Sequence, residues 1–371
     1  MERKTFILLL IGATIFLITA TLSVLVAKEA PLSPTQASLE TCNTLKYNGE
    51  NKEDLLFFAD EKTSQSYADF LFQRQPFNER EKDFNVYYIS NYQPTCQLYK
   101  GIALYCPSKE LTEKASSCPH DFIIVIEKRP SDIRSSAHLN VASINKALSK
   151  TVLIHEIGHL FGLDEEYNAG YTPSLLSPNC KISCDKFGQY KDSCYQECAS
   201  PSFYRSVENG VMRTLSPDDD LNPYGDFNNE VISSKIIEHQ RPITGLAIST
   251  TEECSQQSYI LIEAIYQDGE IIVLSKEKRQ GCPSGNNGGL LYYVIKDSSG
   301  IIIEKKTFNP QFIFTDIQQE ILTGQTYNVE NSFYLAIPNI QQAQTIEFFD
   351  ENNQNIGGES LNDFGSSPCK I

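Results

Sequence analysis

Two histidines four residues apart, with a glutamate between them, constrain this chain more than anything else in it. They lie in the stretch Thr151-Val-Leu-Ile-His155-Glu156-Ile-Gly-His159-Leu-Phe-Gly162-Leu-Asp164-Glu165-Glu166-Tyr167. On a helix, residues four apart sit one above the other, so both imidazoles can grip one metal ion from one face. Glu156, one position round, can reach a water bound to that ion. Leu153, Ile154, Ile157, Leu160 and Phe161 supply the apolar positions of an amphipathic helix, while Leu148, Val152, His155 and His159 fall along its other stripe. Gly162 stands where such a helix ends in a left-handed turn, and the acidic run Asp164-Glu165-Glu166 that follows can close the site with a third ligand. The plainer reading is a core helix that carries two histidines. With only five histidines in the chain, this spacing around a glutamate arises by chance in roughly one such chain in two hundred. Burying both imidazoles without a shared partner is also costly.

A length of 371 residues exceeds one ordinary compact domain and suggests two. After Met1-Glu-Arg3-Lys4 the chain runs from Thr5 to Ala27 without a charge. As a helix that run measures roughly 34 Å, enough to span a bilayer with some tilt. Leu25-Val26-Ala27-Lys28-Glu29-Ala30 lacks a clear small-x-small cleavage site, which favours an uncleaved anchor over a cleaved signal. Arg3 and Lys4 on the short side put the N-terminus in the cytoplasm and all that follows outside. Cleavage would make the chain secreted instead. Eleven cysteines agree with an oxidising compartment; ten can pair and one is left over. The twin spacing of Cys180 and Cys184 with Cys194 and Cys198 lacks the usual zinc-knuckle form and reads as a disulfide-stapled insertion. Cys96 with Cys106 and Cys254 with Cys282 are expected to close loops. A formal charge of -16 argues against nucleic acid or an anionic membrane surface as a partner.

Along the chain, residues 28–41 form a polar, Pro-containing tether. Strand patterns follow at Asp54 to Ala59, Phe84 to Ile89 and Asp121 to Glu127, with helical patterns at Thr63 to Gln73 and Ser108 to Ser116. His138 to Ile144 alternates like an edge strand beside the histidine helix. Gly170 to Arg205 shows little periodicity and holds four cysteines. Met212, the sole methionine besides the initiator, sits in a Gly-containing turn and suits a floor beneath the metal site, although a lone Met is commonly core filling. Phe227 to His239 reads as a closing helix. Arg241-Pro-Ile-Thr-Gly245 marks a boundary, after which about seven strand-like runs suggest a β-sandwich of immunoglobulin type.

With these features in place, the chain resembles the metzincin clan of zinc peptidases, whose pattern is H-E-x-x-H-x-x-G-x-x followed by a third ligand and a downstream methionine turn. Within that clan it is most similar to the immunoglobulin-A metallopeptidase family, through Gly162-Leu163, Glu165-Glu166-Tyr167, Gln75-Pro76-Phe77-Asn78 and Asp83-Phe84-Asn85-Val86. The similarity spans about Asp54 to His239. The turn after Gly162 is one residue shorter than the family's, and its acid pair is Glu-Glu instead of Asp-Glu. Clan spacing makes Glu165 the third ligand, with Asp164 a rival; His138 and His239 lack motif support.

The resemblance implies an α+β peptidase domain with an α/β-type upper half over residues 42–242. An all-β immunoglobulin-like sandwich over 243–371 follows it, and a single transmembrane helix within residues 1–27 precedes it. His155, His159 and Glu165 are then expected to hold Zn2+, with Glu156 as general base and Met212 as the Met-turn residue. An oxyanion donor beyond zinc is offered by Tyr167 or Tyr204, each of which reads otherwise as an ordinary packing tyrosine; the place two residues after the turn methionine, where clan relatives carry a tyrosine near the metal, is Thr214. The expected function is a membrane-anchored, extracytoplasmic zinc endopeptidase with a protein or peptide substrate. The alternatives are a non-enzymatic surface binding protein with a structural metal site, or a zinc peptidase acting on cell-wall peptides.

Overall fold

Leu55 and Phe57 point into one core and Leu56 and Phe58 into another, so the strand that carries them is covered on both faces. This strand lies in the middle of the largest sheet in a computed structural model that describes residues 40–239, 254–285, 288–318, 321–328 and 332–362. The first part of the chain supplies β1 (Asn43–Lys46), β2 (Glu53–Phe58), α1 (Glu61–Phe72), β3 (Phe84–Ile89), β4 (Gln97–Tyr99), β5 (Ala103–Tyr105), α2 (Lys109–Ala115), β6 (Phe122–Glu127), β7 (Ser136–His138) and β8 (Val141–Asn145). Next come α3 (Thr151–Leu160), β9 (Tyr195–Cys198), β10 (Ser200–Arg205) and α4 (Asp226–His239). Among the described residues the last part holds strands only: β11 (Ser258–Gln267), β12 (Glu270–Gln280), β13 (Leu291–Lys296), β14 (Ile302–Phe308), β15 (Gln311–Gln318), β16 (Ile321–Asn328), β17 (Phe333–Pro338), β18 (Thr345–Phe349) and β19 (Asn355–Ser360).

The largest sheet has eight strands in the order β1-β3-β2-β6-β8-β7-β15-β16. Its four inner strands, β3, β2, β6 and β8, run parallel, and antiparallel strands close it on both sides. Helix α3 packs Leu153, Ile154 and Ile157 against one face, in a core shared with Phe77, Phe84, Phe122, Met212, Tyr224 and Ile236. The stretch expected as a single edge strand, His138 to Ile144, is instead two strands. The chain reverses at Leu139, which has φ 52°, so that β8 becomes an inner strand and β7 its antiparallel neighbour.

The expected fold class needs correction. The chain is mostly sheet, 33% strand against 18% helix, whereas an α+β peptidase domain followed by a self-contained immunoglobulin-like sandwich was expected. Two smaller sheets, β12-β11-β17 and β14-β13-β18-β19, do share a core around Ile262, Leu335, Tyr293 and Phe348. The β15–β16 hairpin leaves them, however, and completes the first sheet by pairing Phe312 with His138 and Phe314 with Ser136. Sequence periodicity records that a run is a strand but not which strand it joins. The expected boundary at 242/243 falls outside the described residues, as does the apolar run from Thr5 to Ala27. Among the described residues no helix is long and apolar enough to cross a membrane, so the expected transmembrane helix finds no support in the structure.

Five disulfides staple the fold: Cys42–Cys118, Cys96–Cys106, Cys180–Cys198, Cys184–Cys194 and Cys254–Cys282. The eleventh cysteine, Cys369, lies outside the described residues.

At the head of the parallel strands two acids face each other. Asp121 Oδ2 accepts from the Asp54 amide at 2.8 Å, and Asp54 Oδ1 accepts from Asn85 Nδ2 at 2.8 Å. Burial raises the pKa of both carboxyls, and for Asp54 the negative charge of Asp121 adds to the rise. A carboxyl that holds its proton more tightly when folded destabilises the fold as pH rises from its unfolded value towards its folded one. Stability should therefore fall on going from pH 4 to pH 7.5, and Asp54→Asn should flatten the slope, retaining about 2 kcal/mol more of the acid-side stability at pH 7.5. Urea midpoints across that range, with disulfides intact, check this; parallel profiles for the two proteins would refute it.

Candidate metal centre

Helix α3 ends as its sequence suggests. Gly162 has φ 80°, the Gly162 amide donates to His159 O at 2.8 Å, and the Leu163 amide donates to Gly158 O at 2.9 Å. This is the 6→1 and 5→2 pattern of a Schellman cap. The cap turns the chain sharply beneath the helix and brings Glu165 back under the two histidines.

Each imidazole is fixed by its other nitrogen. His155 Nδ1 lies 2.8 Å from Val211 O, and His159 Nδ1 lies 2.8 Å from Leu163 O. A carbonyl can only accept, so both Nδ1 atoms carry the proton, and in the neutral rings both Nε2 atoms present lone pairs. Those two Nε2 atoms are 3.1 Å apart. The Glu165 carboxylate completes the triangle, with Oε1 3.2 Å from His159 Nε2 and Oε2 3.4 Å from His155 Nε2. Three lone-pair donors this close repel one another unless a cation lies among them. The edge of a tetrahedron around an ion with bonds of 2.0–2.1 Å is about 3.3 Å. The three observed separations match that edge, so the residues present fit a small metal ion.

The electrostatics agree. Burial would lower the His155 pKa, but the Glu165 and Glu156 carboxylates outweigh it and raise it to about 9. Burial would raise Glu165, yet the two imidazoles pull it down to about 2. The cluster holds its carboxylate ionised and draws positive charge. Glu156 is fully buried, and neither of its carboxylate oxygens has a hydrogen-bond partner. Burial pushes its carboxyl up to about 7 against the pull of the two histidines.

Asp164 is turned away from the histidines. Its Oδ1 accepts from Tyr171 Oη at 2.9 Å, and its backbone is clamped by Asn179, whose side chain accepts from the Asp164 amide and donates to its carbonyl, each at 2.8 Å. Asn179 Nδ2 and Asn228 Nδ2 also donate to Glu166 Oε1, at 3.3 and 2.8 Å. The Glu166 amide donates to Met212 O at 2.9 Å. The Cys180–Cys198 bridge lies behind this turn, with Cys180 Sγ 3.5 Å from Glu165 O. Met212 is fully buried under α3, where a Cβ on Gly158 would stand 2.5 Å from its sulfur. The segment Val211–Met212 thus ties His155 and Glu166 together. His138 stands on β7 against Tyr105, outside the cluster. Tyr204 is half-buried on β10.

Sequence reasoning missed Asn179, Tyr171, Asn228 and Tyr224, whose hydroxyl donates to Ile154 O. Tyr171 and Asn179 follow the turn within the irregular cysteine-bearing segment, while Tyr224 and Asn228 come from much later in the chain, and only the spacing of the cysteines hinted that the first segment folds back. No protein-family model matches the chain, and no curated protein matches it. The site is therefore read from its own geometry.

Two outcomes follow. Glu165→Ala should abolish tight metal retention, whereas Asp164→Ala should weaken it much less, as read by metal content after dialysis; the reverse order would make Asp164 the ligand. Gly158→Ala should cost about 1–3 kcal/mol, because the added methyl overpacks Met212 and Tyr224. A denaturation midpoint equal to that of the native chain would show that the floor can yield.

Proposed function

We propose that this chain is a zinc-dependent peptidase that works outside the cytoplasm and is akin to the metzincins. The observation that carries this reading is the buried, unpartnered carboxylate of Glu156 beside two imidazoles and a carboxylate spaced for one ion. Two histidines and one carboxylate suit zinc and leave a coordination position for water or substrate. When bound there, zinc would polarise a peptide carbonyl and lower the pKa of water.

The protein's own groups supply the rest. His155, His159 and Glu165 hold the ion, and the carbonyls of Val211 and Leu163 fix both rings in one tautomer. Glu156, with a carboxyl raised to about 7 by burial, is poised to take a proton near neutral pH. It accepts the proton of the attacking water and returns it to the leaving nitrogen as the peptide C–N bond breaks. A purely structural metal site has no use for such a carboxylate, whose burial without a partner costs stability. The five disulfides favour an oxidising compartment.

The test is metal content and peptide hydrolysis of the disulfide-intact chain and of Glu156→Gln. Both proteins should hold one zinc, and the variant should lose about 10²–10⁴-fold in rate. A variant as active as the native chain, or a folded native chain that takes up no zinc, would defeat the proposal.

A further inference from the structure

Helix α4 and the loop stapled by Cys184–Cys194 enclose an open cleft of about 750 Å³. Its lining carries three lysines, Lys181, Lys186 and Lys235, against one acid, Glu230. That is an unusual balance in a chain with a formal charge of -16. Glu230 is already engaged, since Gln189 Nε2 donates to its Oε2 at 3.5 Å. Lys181 Nζ donates to Ser177 O at 2.6 Å and keeps two protons free. Among the described residues Lys186 and Lys235 have neither a hydrogen-bond partner nor an ion-pair partner. Asp164 acts on both Lys181 and Lys235, and Lys186 acts on Lys181, so the three ammoniums share one field.

Lys235 is the least ordinary of the three. It is half-buried on α4, and its Nζ ends 3.0 Å from where a Cβ on Gly162 would stand, at the carbonyl end of α3. Burial lowers its pKa, and the pull of Glu238 and Asp164 does not make up the difference. The α3 carbonyls attract the charge, but none accepts a bond from it. A lysine that only covers apolar surface carries its ammonium out to water. One held inside without a partner costs stability, which an anion in the cleft would offset. The other wall is aromatic. Phe187 meets Phe227 edge-on with ring centroids 4.9 Å apart, and Tyr190 meets the same ring at 5.8 Å. Phe187 is buried, whereas Phe227 and Tyr190 are partly exposed.

We propose that this cleft binds an organic carboxylate with an aromatic body, the carboxylate among Lys181, Lys186 and Lys235 and the ring on Phe227 and Tyr190. A free aromatic acid and the C-terminus of a peptide ending in an aromatic residue share that chemistry. The site requires no metal and is independent of the peptidase reading.

The experiment is calorimetric titration of the disulfide-intact chain with N-acetylphenylalanine, with its uncharged amide, with inorganic phosphate and with a tetrapeptide ending in phenylalanine. N-acetylphenylalanine should saturate one site, and the amide and phosphate should each bind more weakly. Lys235→Met and Lys186→Ala should each weaken N-acetylphenylalanine about 10–100-fold, as expected for a lost charge-assisted hydrogen bond. Phe227→Ala should weaken it about 2–10-fold. Lys186 is exposed, so its variant tests the site even if Lys235→Met fails to fold. A tetrapeptide that binds more tightly than the free acid makes a peptide C-terminus the ligand; one that binds more weakly makes it a free acid. No saturable binding by the native chain overturns the site, as does equal binding of acid and amide, phosphate as tight as the aromatic acid, or native affinity in folded Lys186→Ala and Lys235→Met.

Discussion

Two nitrogen lone pairs held 3.1 Å apart in a dry interior, with a carboxylate against both, form the constraint on which this structure turns. Left to themselves, such groups separate or take up protons. Here neither ring can rotate, because each is tied by Nδ1 to a backbone carbonyl, one from the turn after the helix and one from a strand-free segment some fifty residues on. The donors are thereby held in place, and an ion that displaces the proton His155 otherwise draws binds to a site that needs little rearrangement.

The layers around the site explain how that rigidity is reached. The parallel strands β2, β6 and β8 give α3 a flat, doubly covered base, and Phe122 and Phe161 lock the helix to it. Below, the loop that returns Glu165 has almost no regular structure. Its order comes from Asn179 pairing with the Asp164 backbone as a strand would, from the Asn228–Glu166 bond, and from the bridge between Cys180 and Cys198. Side-chain amides and sulfur replace the ladder that a strand would have provided.

Much of the site was legible because its parts are local. The i, i+4 histidines, the glycine cap and the returning acid lie within eleven residues, and helix geometry alone places them. The choice between Asp164 and Glu165 was harder: it depends on Tyr171 and Asn179, which hold Asp164 the other way and carry no periodic signature. The fold was less legible. Strands such as Phe84–Ile89 stood out by their apolar runs, but the reversal at Leu139 divides seven residues that alternate like one strand. The partner of Gln311–Gln318 was invisible for the same reason that any long-range pairing is: nothing in its own residues names β7. A tidy sandwich was therefore expected where the chain instead sends one hairpin back to the first sheet.

That hairpin has a consequence for how the molecule is made. Strand β7 pairs on one side with β8, a neighbour in sequence, and on the other with β15, synthesised last among the strands of that sheet except β16. Until then the growing chain carries an open sheet edge beside the histidine helix, with backbone donors and acceptors ready to pair with any extended segment. Contacts of such long sequence separation form late. The candidate metal centre is complete in sequence well before its sheet is, so the interval between the two is when the nascent protein is most exposed to mispairing with its own kind.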